Sequence, residues 1–224
     1  MGYLSEEKSA LVTAAVTEAE SHTSGEIVTV LADRSDGYTD VILVWAASLA
    51  FTAMSLFAVF PVPFLDLWDG LSGGWGTEWS TGELATVTIL LGLITFALTW
   101  LAFSHRAIRY RVIPSPVKSA RAHEAAIRHF KVGAERRTHG RTGVLLYLSM
   151  CEHRAEIVAD EAIASRVHAE IWGEAMADML AEVARGRIAE GLAVGARDVG
   201  KVLAEHFPRE DDDTNELPDR LIEV

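Results

Sequence analysis

The sequence is poor in the residues that mark disulfide frameworks, zinc sites and nucleotide sites. It has 224 residues and one cysteine, Cys151, so no intramolecular disulfide is possible, and this thiol is expected to be structural. No HExxH, CxxC or GxxxxGKS/T pattern occurs. The eight histidines lack zinc-ligand spacing: His123 and His129 are six apart, so they do not share a helix face as zinc ligands at i and i+4 do. The N-terminus also lacks the basic and apolar regions of a secretory signal peptide.

Charge is absent from two long stretches, residues 41–60 and 84–103. About 20 helical residues cross a hydrocarbon core of about 30 Å, so the stretches predict a transmembrane hairpin. The alternative is a pair of buried helices in a soluble protein. Neither stretch holds an ionisable side chain, which indicates an anchor rather than a transport pathway. Small residues recur four apart in the first stretch and favour close helix approach: Ala46, Ala50, Ser48 and Thr52.

Lysine and arginine are missing from residues 65–83, which are interpreted as a short acidic loop containing three tryptophans. Basic residues follow the second stretch directly, beginning at Arg106. The positive-inside rule then puts the loop outside and both termini in the cytoplasm. The expected location is the cell inner membrane, with two spans.

The basic segment 105–141 stands out in a chain whose net charge is −12. It holds ten Lys/Arg and two acidic residues. Because it starts at the membrane, the expected partner is the layer of anionic lipid headgroups. The attraction stabilises binding by about 1 kcal/mol for each Lys or Arg near the surface. Nucleic acid is not expected, because no stacking aromatic residues are interleaved with these charges.

Outside the hairpin, the pattern predicts helices and short apolar strands. Ser5 caps a first helix that ends near His22, and the run EIVTVLA at 26–32 predicts a strand. That strand has no partner before the hairpin, so later strands must complete its sheet. The predicted fold is α/β, a small mixed sheet flanked by helices and interrupted by a two-helix transmembrane hairpin. The later elements are a basic helix at 118–137, strands at 144–150 and 155–159, helices through 171–183 and 188–207, and an acidic, disordered tail.

Four segments follow from these patterns. Residues 1–40 and 104–207 are the two halves of the α/β domain, 41–103 are the hairpin, and 208–224 are the tail.

Two stretches of this chain resemble the TPM domain family. They are RTGVLLYLSMCEHRAEIVADEAIA, a strand–turn–strand segment, and RGRIAEGLAVGARDVGKVLAEHF, a helix with spaced glycines. The resemblance covers about residues 4–40 and 118–207, and it is closest to the bacterial membrane-protein branch with a hairpin inside the domain. It implies a sheet-and-helix module, and phosphatase activity and metal binding have been credited to members of the family.

Carboxylates directly follow two of the predicted strands. If those strands run parallel, Asp33 and Asp160 converge and form a divalent-cation site for calcium or magnesium. If they are antiparallel, the two residues lie at opposite ends, and Asp160 caps the next helix. No catalytic residue is assigned. The expected function is an accessory module that binds a ligand or an unidentified protein partner, and the alternative is a membrane-anchored phosphatase, possibly dependent on a divalent metal.

Overall fold

A computed structural model describes residues 3–72, 78–133, 142–168, 170–209 and 219–224. Its elements, in chain order, are α1 (Glu6–Glu20), β1 (Glu26–Ala32), α2 (Thr39–Val59), α3 (Pro61–Ser72), α4 (Thr81–Ser104), α5 (Arg106–Val112), α6 (Ser115–Gly133), β2 (Gly143–Ser149), β3 (Arg154–Ala159), α7 (Glu161–Ala164), α8 (Trp172–Ala184), α9 (Ile188–His206) and β4 (Ile222–Glu223).

The chain divides into two compact units. One combines Met1–Asp36 with Pro114–Val224, and the other is the insert Gly37–Ile113. The sequence predicts these boundaries near residues 40 and 104. The second boundary lies later because the short basic helix α5 belongs to the insert.

The first unit is built on a mixed sheet with strand order β3-β2-β1-β4. β1 and β2 are parallel over seven residues, from Glu26 opposite Gly143 to Ala32 opposite Ser149. β3 is antiparallel to β2, and β4 is parallel to β1. Every residue of β1 and β2 is buried, which explains why their sequences are mostly apolar. The predicted α/β class with a mixed sheet is confirmed.

The acidic tail was expected to be disordered, and for its last residues this expectation is wrong. Ile222 and Glu223 form β4, Val224 N–H donates to Leu31 O at 3.1 Å, and Asp33 N–H donates to Val224 O at 2.7 Å. An apolar pair, Leu221 and Ile222, follows the acidic run and packs against the core. Residues 210–218 lie outside the described part of the chain.

Helices cover both faces of the sheet. α1, α8 and α9 pack on one face and α6 packs on the other. Glycines allow the close contacts: a Cβ on Gly200 would lie 2.5 Å from Ala19 Cβ, and one on Gly191 would lie 2.8 Å from Met179 O. Gly186 ends α8 with a φ of +79°, a conformation that favours glycine. The spaced glycines of residues 186–200 therefore end one helix and let the next pack closely against its neighbours.

The insert contains two apolar helices that pack antiparallel. Trp45 of α2 meets Phe103 of α4 edge to face, with ring centroids 6.5 Å apart, and Met54 lies where a Cβ on Gly92 would be. The buried stripe of α2 includes Ala46 and Ala50, as their spacing predicted. Ser48 and Thr52 instead face outward.

The ends of the insert are joined at its base. Arg109 Nη1 donates to Gly37 O at 3.3 Å, and the rings of Tyr38 and Tyr110 meet edge to face at 5.8 Å. The insert therefore closes on itself next to both of its boundaries.

The segment predicted as a loop at 65–83 is partly helical. α2 ends at Val59, Phe60 follows with non-helical φ and ψ of −128° and 62°, and α3 starts at Pro61. α4 then starts with a capping box between Ser80 and Glu83. Residues 73–77 lie outside the described part. The predicted basic helix at 118–137 corresponds to α6, and its residues 134–137 also fall outside.

Candidate functional site

Because β1 and β2 are parallel neighbours, their carboxyl ends meet at one edge of the sheet. Ligand sites of α/β sheets are found at such edges. We call this region, residues 33–36 and 149–153, the carboxyl edge. The two segments are bonded directly to each other, since Cys151 N–H donates to Asp33 O at 3.0 Å and Met150 N–H donates to Ala32 O at 3.0 Å.

The base of the carboxyl edge is a buried hydrogen-bond network. Glu152, 2 % exposed, accepts the Ser35 N–H at 3.0 Å through Oε1 and the Ser149 hydroxyl through Oε2. Ser35 Oγ also lies 3.0 Å from the Tyr147 hydroxyl. Buried carboxylates are stable when such donors surround them. The network therefore fixes the loop after β1 to the turn after β2.

Burial disfavours the charged forms of the neighbouring aromatic groups. Burial raises the pKa of Tyr147 above its usual value, and it lowers the pKa of His129, which the Arg128 guanidinium lowers further. The His129 ring stacks on the Tyr147 ring at 5.8 Å between centroids. Arg128 also donates to Ser35 O at 3.4 Å. The stacked rings thus close the network from the side of α6.

The rim of the carboxyl edge is accessible. The Asp33 carboxylate is partly exposed and accepts the Tyr3 hydroxyl, and Cys151 Sγ lies 3.7 Å from the same oxygen. Asp36 pairs with Arg121 at 3.2 Å. A ligand approaching this edge meets these groups first.

Asp160 lies at the opposite end of the sheet, so the predicted convergence with Asp33 is wrong. The reason is that β3 runs antiparallel to β2, and hence to β1. Asp160 occupies the position before α7, but its side chain makes no capping bond. Its Oδ2 instead accepts the Gly143 N–H at 3.0 Å and fixes the start of β2.

The donors around Asp33 do not fit a calcium or magnesium site. They include a phenol and a thiol, whereas these cations take several carboxylate, carbonyl or water oxygens. In the described ranges, no group of three His, Cys, Asp or Glu side chains is arranged to hold a metal ion.

A second polar cleft lies at the amino ends of the parallel strands. Its lining consists of Thr17, Glu20, Ser21, Thr23, Glu26, Arg209 and Asp219. Burial, followed by the charges of Glu26 and Asp219, raises the pKa of Glu20 from its usual 4.5 to about 8, although a bond from Ile27 N–H opposes the shift. Glu20 is therefore a protonated acid at neutral pH.

Sequence reasoning identified the rim residue Asp33 but missed Ser35, Tyr147 and Glu152. One signal was present: Tyr147 and Ser149 are two apart in an otherwise apolar strand, so they point to one face. Glu20 had no comparable signal, because Asp219, which contributes to its raised pKa, is distant in sequence.

No protein-family model and no curated protein matches this chain. A solved structure is similar: the NMR structure of the BA42 protein from the psychrophilic bacterium Bizionia argentinensis. The two share 17 % sequence identity with a TM-score of 0.56, over 99 % of this chain and 96 % of that one. The likeness concerns the fold alone.

Proposed function

We propose that this protein is an integral inner-membrane protein whose α/β unit is a TPM-like accessory module that binds a ligand or protein partner at the carboxyl edge. One observation carries the proposal: an accessible rim containing Asp33 and Asp36 stands on a rigid, buried network at the end of two parallel strands. Fixed loops of this kind present a preformed surface, and preformed surfaces lose little freedom on binding.

The membrane anchor is formed by α2 and α4. Both are long and apolar enough to cross a bilayer. In α4 only Gly92 is buried, and in α2 the buried residues form one stripe. A core helix of a soluble protein is covered by other elements, whereas these helices expose large apolar side chains such as Phe51 and Leu101. Lipid is the solvent that suits such surfaces.

The α/β unit and both termini lie in the cytoplasm in this proposal. The support is the asymmetry of charge around the spans. Residues 61–83 contain no Lys or Arg, and α5 brings Arg106, Arg109 and Arg111 directly after α4.

We propose that anionic lipid headgroups contact only some of the basic residues of segment 105–141, because others are bonded within the protein. Arg109 bonds the carbonyls of Phe103 and Ser104, and Arg121 pairs with Asp36. Arg111 is exposed and Lys118 is partly exposed. Residues 134–141, which include three further arginines, lie outside the described part.

Site-specific photo-crosslinking tests the binding proposal. A photo-reactive amino acid replaces Arg34, exposed on the carboxyl edge, and in a control it replaces Glu161, exposed at the opposite end of the sheet. We expect a discrete adduct from position 34 that is lost when Asp33→Ala and Asp36→Ala are added. Equal adducts from both positions would contradict a site at the carboxyl edge.

The second candidate is a membrane-anchored phosphatase. Its candidate nucleophile is the Asp33 carboxylate, which is partly exposed, whereas the hydroxyls of Ser35 and Ser149 are buried. The full chain in detergent is assayed on a generic phosphomonoester with magnesium, manganese or calcium, and without metal. Hydrolysis that disappears in Asp33→Asn supports an enzyme. Hydrolysis at the same rate in that variant places any activity elsewhere.

A further inference from the structure

α3 is a short amphipathic helix between the two apolar helices of the insert. Phe64, Leu67 and Trp68 lie on one face, at helical spacing, and are 44 %, 63 % and 60 % exposed. Asp66 and Asp69 lie on the other face. A helix with one exposed apolar face needs an apolar surface to cover it.

The position of α3 in the chain limits what that surface is. α2 has 21 residues, so at about 1.5 Å per residue it crosses the hydrocarbon core without help. α3 has 12 residues, is too short to cross, and starts after one non-helical residue, Phe60. The antiparallel α4 returns from the same side. α3 must therefore start and end at one membrane surface.

The joint between α2 and α3 is held in place. Phe64 of α3 packs edge to face on Phe57, near the end of α2, with ring centroids 5.8 Å apart. The first turn of α3 contains Pro61 and Pro63, and proline before the first helical hydrogen bonds is well tolerated there. The break at Phe60 is thus a defined turn between two helices.

We infer that α3 lies in the plane of the outer membrane surface, with Phe64, Leu67 and Trp68 in the boundary between headgroups and acyl chains and with Asp66 and Asp69 facing water. Such helices bind through buried apolar area, and Trp favours the headgroup level. The helix has no Lys or Arg, so its apolar face contacts the apolar part of the interface, and anionic headgroups are not needed to hold it there. The inference rests on the membrane placement proposed above.

Spin-label accessibility tests the inference in the full chain. Cysteines replace Asp66, Leu67, Trp68, Asp69 and, as a reference in α4, Leu93, one at a time in a Cys151→Ser background. Each spin-labelled variant is placed in phosphatidylcholine vesicles, and its collisions with oxygen and with a water-soluble nickel chelate are compared. We expect the oxygen-to-nickel ratio to be several-fold larger at 67 and 68 than at 66 and 69, and largest at 93.

Other outcomes overturn the inference. Equal ratios across 66–69 would make α3 a solvated helix or a continuation of the span. Screening of 67 and 68 from both reagents, with spin–spin broadening, would show that a second copy of the chain covers the face. In both cases a lipid signal at 93 leaves the membrane proposal standing. A water signal at 93 overturns the membrane placement and the inference together.

Discussion

The pKa of Glu20 departs strongly from the usual value for a glutamate. This residue lies near the end of α1 and is 9 % exposed, next to two further carboxylates, Glu26 and Asp219. Burial raises its pKa to about 8, because a charged carboxylate loses its hydration there. Asp33 was within reach of sequence reasoning because it directly follows a strand. Glu20 was not, since only the folded chain brings Asp219 to it.

The raised pKa of Glu20 makes stability depend on pH. The native state keeps a proton that the unfolded chain releases above about pH 4.5, so stability falls as the pH rises from there through about 8. Gln at this position keeps the acceptor for Ile27 N–H and cannot ionise. We expect Glu20→Gln to flatten the decline in Tm of the full chain between about pH 5 and pH 9. A Tm profile that falls as steeply as that of the wild type would show that Glu20 is ordinarily ionised.

At the scale of elements, length and periodicity located the strands and long helices but not the short elements. β1 matched the run EIVTVLA residue by residue, because a short, mostly apolar and β-branched run is typical of a strand buried on both faces. Most of α3 was interpreted as loop because residues 65–83 lie between two charge-free stretches and hold four acids and no Lys or Arg. β4 has two residues after an acidic run, so its pairing with β1 is a tertiary effect that no local pattern reveals.

The packing of α2 on α4 gives a prediction at this scale. A Cβ on Gly92 would lie 2.4 Å from Met54 Sδ, and a Cβ on Gly82 would have nothing within 4 Å. We expect Gly92→Leu to destabilise the helix pair by about 1–3 kcal/mol, the usual cost of overpacking. Gly82→Leu is the matched control and should change little. The measurement is unfolding of the full chain in mixed micelles by increasing SDS. Equal losses in the two variants would mean that Gly92 does not set the distance between the helices.

Across the whole molecule, the sequence predicted that an α/β unit is assembled from both sides of an apolar insert, since a lone first strand needs partners. The direction of the strands could not be predicted, because nothing in the sequence says whether β1 runs parallel to β2 or to β3. Since β1 runs parallel to β2, the antiparallel β3 carries Asp160 to the other end of the sheet. That is why the fold class was predictable and the cation site was not.

The proposed topology can be checked with the native thiol. Cys151 is partly exposed in the α/β unit, and Glu78 is exposed between α3 and α4. In intact bacterial cells, a membrane-impermeant maleimide should label Glu78→Cys in a Cys151→Ser background. It should label Cys151 of the wild type only after the membrane is opened, because the reagent cannot reach the cytoplasm. Labelling of Cys151 in intact cells would reverse the orientation.

The closed base of the insert bears on how the chain folds. β1 is synthesised before both strands that flank it, and the insert separates it from β2. Joining the ends of a long flexible loop carries an entropic cost that must be met before strand pairing offsets it. Here the bond from Arg109 to Gly37 and the Tyr38–Tyr110 contact bring those ends together within the insert itself. Once the hairpin has formed, the entropic cost of pairing β1 with β2 is that of a short connection between β1 and α6, and not that of the whole insert.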